Sequence, residues 1–100
     1  MAEMRISDRI GADHPSLPGH FPGHPIVPGV VLLDAVRVAA QQALAPGVLL
    51  ALPMIKFLQP VMPEQPFEIV LQPGAGGRIA FRIEIDGAIA VQGSLQFASP

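Results

Sequence analysis

The sequence predicts an α+β fold in which one buried helix packs against an antiparallel β-sheet. Three observations lead to this prediction. The chain has 100 residues, which suits a single domain over residues 1–100. One apolar segment in its first half has the length and composition of a helix, and the later segments alternate apolar and polar residues as strands do. Half of the residues are hydrophobic and only 14% are charged, which excludes a disordered chain.

The first 29 residues are predicted to hold one strand and one long loop. Residues 4–10 alternate weakly, as a strand does. Prolines are then concentrated between Pro15 and Pro28. Proline disfavours helix and cannot donate to a sheet, so this segment is predicted to be irregular and stiff. A loop of this length in a compact domain is usually functional.

The helix is predicted from Val30 to Ala45, and Pro46-Gly47 ends it. It is apolar nearly all round, which predicts burial on most sides. The exceptions are Asp34, Arg37 and Gln41, whose spacing places them on one stripe of the helix.

Four further strand segments follow the helix. The first, from Val48 to Leu58, is apolar apart from Lys56, and the others are residues 67–72, 78–85 and 88–97. Asp86-Gly87 lies between the last two and is typical of a tight hairpin turn.

Composition excludes several classes of function. Six basic residues against eight acidic ones give a net charge of −2 with no basic cluster, so nucleic acid is not an expected partner. There is no cysteine, which excludes disulfides and a cysteine nucleophile. No apolar run reaches the ~18 residues of a membrane span, and a cytoplasmic location is the expectation. The small polar fraction predicts that apolar surface is buried against a second chain.

Three histidines lie close together, at positions 14, 20 and 24. We do not predict a metal site, because no helix aligns two of their rings and the prolines between them stiffen the chain. A histidine held in a stiff loop suits the role of a base instead, since its ordinary pKa of ~6.5 is close to neutral pH.

Asp34 is the first charged residue of the predicted helix. A carboxylate in apolar surroundings is costly unless it is paired or hydrogen-bonded. Two interpretations remain open at this point. One is an ion pair with Arg37, and the other is a site acid whose pKa is raised by burial.

The helix start is the third candidate feature. Pro28-Gly29 precedes the helix without a capping side chain, so its first amide N–H groups are predicted to lack a side-chain partner. Such donors can bind a carbonyl oxygen that gains negative charge, or they can bind water or a loop carbonyl. Gly29 also permits close approach of a ligand. A base, an acid and these donors together favour proton abstraction next to a carbonyl group.

The segment from Gly19 to Ala35, GHFPGHPIVPGVVLLDA, closely resembles the active-site signature GHFPGxPxxPGVLxxEA of the β-hydroxyacyl-(acyl carrier protein) dehydratases of fatty-acid synthesis. Residues 56–63 resemble that family's strand ending in a PVxPGD turn, and Asp86-Gly87 resembles its VDG hairpin. The resemblance covers roughly Asp13 to Ala98. The short chain also resembles the compact dehydratases of aryl-polyene and xanthomonadin-type pigment clusters.

This resemblance implies the hotdog fold, a central helix wrapped by a curved antiparallel sheet, with dimers formed by joining two sheets edge to edge. It implies dehydration of a 3-hydroxyacyl thioester on acyl carrier protein to the trans-2-enoyl thioester, without a cofactor. His20 is the implied base, and Asp34 of the partner subunit is the implied acid. The implied substrate-binding residues are Phe21, Pro28, Gly29, which is the amide donor, and Val30.

The sequence departs from the family pattern at several positions. Asp34 stands where the commoner enzyme has Glu, Val38 replaces a usual Gln, and Glu64-Gln65 replaces the Gly-Asp of the PGD turn. The alternatives are a hotdog thioesterase or enoyl-thioester hydratase, and a non-catalytic hotdog subunit that binds acyl carrier protein. Hydratases of this fold carry an Asp before their His, and the spacing of Asp13 does not fit.

An acyl carrier protein is acidic, so a docking face should be basic. The available residues are Arg37, Lys56, Arg78 and Arg82. The alternative is that they are ordinary solvated surface residues, which is the preferred interpretation for Lys56.

Overall fold

The computed structural model describes residues 3–15, 26–44 and 46–98. Within these residues the chain forms one α-helix, five strands and a short 3-10 turn. They are β1 (Met4–Asp8), α1 (Gly29–Leu44), β2 (Leu49–Phe57), β3 (Phe67–Pro73), the turn Ala75–Gly77, β4 (Arg78–Ile85) and β5 (Ala88–Phe97). The predicted helix and strands are therefore confirmed, with α1 beginning one residue earlier than expected.

The five strands form one antiparallel sheet in the order β1-β3-β4-β5-β2. The predicted hairpin joins β4 to β5, and its two central residues, Asp86 and Gly87, have φ values of 50° and 82°. Two consecutive positive φ values define the tight turn that Asp-Gly favours. Long-range pairing places β2, the first strand after the helix, at one edge of the sheet.

The core lies between α1 and one face of the sheet. The alternation of β4 explains the sheet's contribution, because Ile79, Phe81, Ile83 and Ile85 are buried on that face. The helix contributes its buried residues, which are Val31, Leu32, Val36, Ala39 and Ala40. Burial of this apolar surface is the main favourable term in folding.

The expectation that α1 is buried on most sides is wrong for a single chain. Val30 is 73% exposed and Val38 is 37% exposed. The sheet covers one side of the helix, and no other described helix or strand lies against the opposite side. The apolar side chains on that side of α1 are therefore not covered by any described helix or strand.

Strand β2 is the second apolar surface that the chain leaves uncovered. It pairs with β5 alone, so its outer edge has no strand partner in the described chain. Several of its large side chains are exposed, including Leu50, Leu52, Met54 and Phe57. Exposed apolar edge strands are characteristic of association with another chain. This agrees with the apolar excess seen in the composition.

Candidate active site

The predicted site residues divide into two groups. His20 and Phe21 lie outside the described residues, as does His24. Pro28, Gly29, Val30 and Asp34 are described and lie together at the start of α1. The structure therefore describes the part of the predicted site that lies on and before the first turns of α1.

The first turn of α1 is anchored by the carbonyl oxygen of Pro28. It accepts hydrogen bonds from the amide N–H groups of Val31 at 3.0 Å and Leu32 at 3.3 Å. The N–H groups of Gly29 and Val30 have no acceptor among the described residues. Amide donors at the positive end of a helix dipole can bind a partially negative oxygen.

An apolar pocket of about 430 Å³ opens beside these donors. The segment 26–29 and Leu32 form one wall, and the segment 57–61 forms the other. The Val27 N–H group donates to the Val61 carbonyl oxygen at 2.8 Å and ties the two walls together. Apolar pockets with a few polar groups are typical of small-molecule binding sites.

Gly29 is held in close contact with the ring of Phe57. A Cβ atom at position 29 would lie 2.7 Å from Cζ and 2.9 Å from Cε1 of this ring. Both distances are far shorter than a normal van der Waals contact, so only glycine lets the ring lie against the helix start.

Asp34 forms an ion pair with Arg37, as one of the two interpretations of its sequence position predicts. Its Oδ1 atom accepts hydrogen bonds from Nε and Nη2 of Arg37, at 3.1 and 2.7 Å. The Asp34 side chain is 63% exposed, so a single chain does not supply the burial that the other interpretation requires. No donor contacts the second carboxylate oxygen within the part of the chain that is described.

A smaller pocket, of about 270 Å³, lies on the Asp34 side of the same helical turn. Its polar walls are His14 and Asp34, and its apolar walls are Ile10, Val30, Val31 and Ala35. Sequence reasoning did not assign a role to His14. No local signal in the sequence links it to Asp34, because the two residues meet through tertiary structure.

The described residues contain no group of three or more His, Cys, Asp or Glu side chains that could hold a metal ion. They also contain no helix long and apolar enough to cross a membrane.

Residues 1–94 match the model of the ApeI-like family, described as ApeI dehydratase. The chain is also similar to curated proteins named 3-hydroxyacyl-[acyl-carrier-protein] dehydratase FabZ. The relative from Ruminiclostridium cellulolyticum is 31% identical over 89% of this chain and 71% of its own length. The relative from Thermus thermophilus is 32% identical over 85% of this chain and 69% of its own length.

Solved structures extend the comparison. The dehydratase heterocomplex ApeI:P from Xenorhabdus doucetiae aligns with a TM-score of 0.83 and 30% identity, over 94% of this chain and 85% of the solved one. An uncharacterized protein from Erwinia carotovora subsp. atroseptica has a TM-score of 0.79 and 30% identity, over 94% and 81%. An (R)-hydratase from A. caviae, 21% identical with a TM-score of 0.67 over 96% and 94%, shares the fold. The predicted hotdog fold is confirmed.

Proposed function

Because this chain belongs to the ApeI-like family of dehydratases, we propose that it removes water from a 3-hydroxyacyl thioester carried by an acyl carrier protein. The product is the trans-2-enoyl thioester. The main support from the site is that the apolar pocket meets the first turn of α1 at Gly29. An acyl chain in this pocket has its thioester carbonyl close to the amide donors.

In the proposed mechanism, the Gly29 N–H group donates to the thioester carbonyl oxygen. This hydrogen bond and the helix dipole stabilise the negative charge that develops there, and so acidify the C2 proton. His20 takes that proton as general base. Asp34 acts as the acid that gives a proton to the 3-hydroxyl group, the C3–O bond breaks, and water leaves. His20 is then protonated and Asp34 is a carboxylate. Transfer of one proton from His20 to Asp34 restores both groups.

The proposed site requires two chains. The Asp34 side chain lies on an exposed part of α1, and the outer edge of β2 is apolar and without a strand partner in the described chain. We therefore place Asp34 of the partner subunit opposite His20 in a homodimer joined at these surfaces. The solved relative from X. doucetiae is a heterocomplex, so a related second chain is the alternative partner.

The acyl carrier protein is the proposed macromolecular partner. Of the four basic residues considered for docking, Arg37 is paired with Asp34, and Arg82 is paired with Glu3 and Glu84. Arg78 forms no ion pair with a described residue and is exposed at the start of β4. We assign Arg78 to the docking face, because it can meet an acidic partner without breaking an ion pair.

The experiment that tests this function is a dehydration assay on the purified protein. A 3-hydroxyacyl-acyl carrier protein is supplied, and the enoyl thioester is followed by mass. We expect wild-type turnover, with His20→Ala and Asp34→Asn each at least ~10²-fold slower, as loss of a general base or acid predicts. Asp86→Asn is the matched control, because its hairpin lies outside the site and Asn-Gly suits the same turn.

Other outcomes point to the alternatives. Release of free carrier thiol indicates a thioesterase. No turnover with saturated, polyene or aryl chains, while the carrier still binds, indicates a non-catalytic subunit. Faster turnover of aryl or polyene chains than of saturated ones would indicate a role in pigment-type chain synthesis. A cytoplasmic location stays a prediction that cell fractionation tests.

A further inference from the structure

Glu64 has an unusual backbone conformation. Its φ is 65°, in the left-handed region that favours glycine. The Glu64 N–H group donates to the carbonyl oxygen of Ile10 at 2.8 Å. Such a conformation persists only where surrounding contacts hold the residue in place.

The side chain of Glu64 binds the segment that leads to His14. Its Oε2 atom accepts a hydrogen bond from the Ala12 N–H group at 2.7 Å, and its Oε1 atom accepts one from Nη1 of Arg9 at 3.0 Å. The His14 N–H group then donates to the Gly11 carbonyl oxygen at 3.0 Å and closes a turn. We call these contacts of Glu64 with Arg9, Ile10 and Ala12 the Glu64 tether. It fixes the position of His14 relative to the sheet.

At this position His14 is half-buried and shares the 270 Å³ pocket with Asp34 of its own chain. Arg37 binds Asp34 through two N–H groups, and both of these hydrogen bonds go to Oδ1. A water molecule occupies about 30 Å³ in the liquid, so the pocket has room for a hydroxyl-bearing carbon and a released water. Imidazole can donate to or accept from such a hydroxyl group.

We propose that His14 is a second histidine of the active site, which with Asp34 of its own chain binds the 3-hydroxyl group of the substrate. The inference rests on the proposed function and adds a substrate-binding residue to it. His14 donates an N–H to the hydroxyl oxygen. Asp34 gives that oxygen its proton, the C3–O bond breaks, and the water formed occupies the pocket between the two side chains.

The test compares two unreactive ligands that differ only in this hydroxyl group: a 3-hydroxyacyl amide and the acyl amide without it, both on pantetheine. We expect His14→Ala to weaken binding of the hydroxyl ligand about 10-fold, which is the loss of one hydrogen bond, and to leave the Kd of the other ligand unchanged. His14→Gln keeps an N–H donor and should recover part of the affinity. A general structural defect would weaken both ligands together.

The tether provides a second set of variants. Glu64→Gly removes both side-chain contacts and relieves the backbone conformation, and we expect it to reproduce the selective loss seen with His14→Ala. Glu64→Gln keeps an acceptor for the Ala12 N–H group and should retain selectivity. Glu68→Gln, which removes an exposed ion pair with Arg5 outside the tether, is the control. Melting temperatures confirm that each variant is folded.

The two proposals fail in different ways. A wild-type protein that does not dehydrate any 3-hydroxyacyl-carrier thioester overturns the proposed function. A wild-type protein that is active, while His14→Ala binds the two amides with the wild-type ratio of Kd values, overturns the role of His14 alone.

Discussion

Gly29 makes a contact that can be tested with one methyl group. In Gly29→Ala the new Cβ atom lies 2.7 Å from the Phe57 ring, so the ring must move. Phe57 is 52% exposed in the single chain but lies on β2, at the proposed dimer surface, so we expect displacement of its ring to lower the free energy of unfolding by ~1–3 kcal/mol. The apolar pocket also loses a wall, and we expect kcat/KM for the dehydration to fall at least ~10-fold, or ~1.4 kcal/mol.

The second variant at this contact is the double substitution Gly29→Ala with Phe57→Leu. The smaller side chain makes room for the methyl group, so part of the lost kcat/KM should return. Urea unfolding and steady-state kinetics on both proteins check the prediction. No recovery would mean that the methyl group acts on the Gly29 amide donor and not through the ring.

At the residue scale, sequence and structure agree where the information is local. The signature around Gly29 predicts the helix start, and α1 begins there. The role of Asp34 as the acid stays a prediction. His14 and Glu64 were missed because their contacts are not local. The hydrogen bond between Glu64 and Ala12 spans 52 positions. The left-handed backbone of Glu64 also runs against the preference of its side chain, so no propensity points to it.

The sheet carries a charged cluster that makes stability depend on pH. Glu84, on β4, accepts hydrogen bonds from Arg82 and from Arg5 of β1, and these hold the pKa of Glu84 below its ordinary value of 4.5. Folding therefore favours the charged form of Glu84. Its contribution to stability is present above pH 4.5 and is lost as the pH falls through the lowered pKa.

We expect Glu84→Gln to lower the melting temperature most at neutral pH. The difference from wild type should shrink as the pH falls below 4.5 and through the lowered pKa of Glu84, where the wild-type side chain becomes protonated. Thermal unfolding of both proteins across this range is the measurement. A gap that stays constant with pH would show that packing of the side chain, and not its charge, stabilises the sheet. Salt should also narrow the gap at neutral pH through screening.

At the element scale, the strands were predictable because alternation reports a sheet with one covered face. β4 shows this most clearly, with Ile79 to Ile85 buried at every second position. The burial of α1 was not predictable in the same way. An apolar side chain such as Val30 gives the same signal whether its own chain or another one covers it. We therefore expect another chain to cover the exposed apolar side of α1.

The whole molecule is predicted to be a dimer. We expect sedimentation to give twice the monomer mass of 10.5 kDa. Leu50→Lys, on the exposed β2 edge, should shift the protein towards monomer, because burying an unpaired charge in an apolar interface is costly. Ser7→Lys, on β1 at the opposite edge of the sheet, is the matched control. A monomeric wild type would separate His20 from the acid of its partner and contradict the two-chain site.

Because Asp34 is exposed and β2 is uncovered in a single chain, a site shared by two chains can be tested by mixing inactive variants. If each site takes His20 from one chain and Asp34 from the other, two inactive variants can complement each other. Equal amounts of His20→Ala and Asp34→Asn chains, allowed to exchange, pair at random, and half of the dimers are mixed. Each mixed dimer regains one intact site of its two, so the mixture recovers about one quarter of wild-type turnover by mass action.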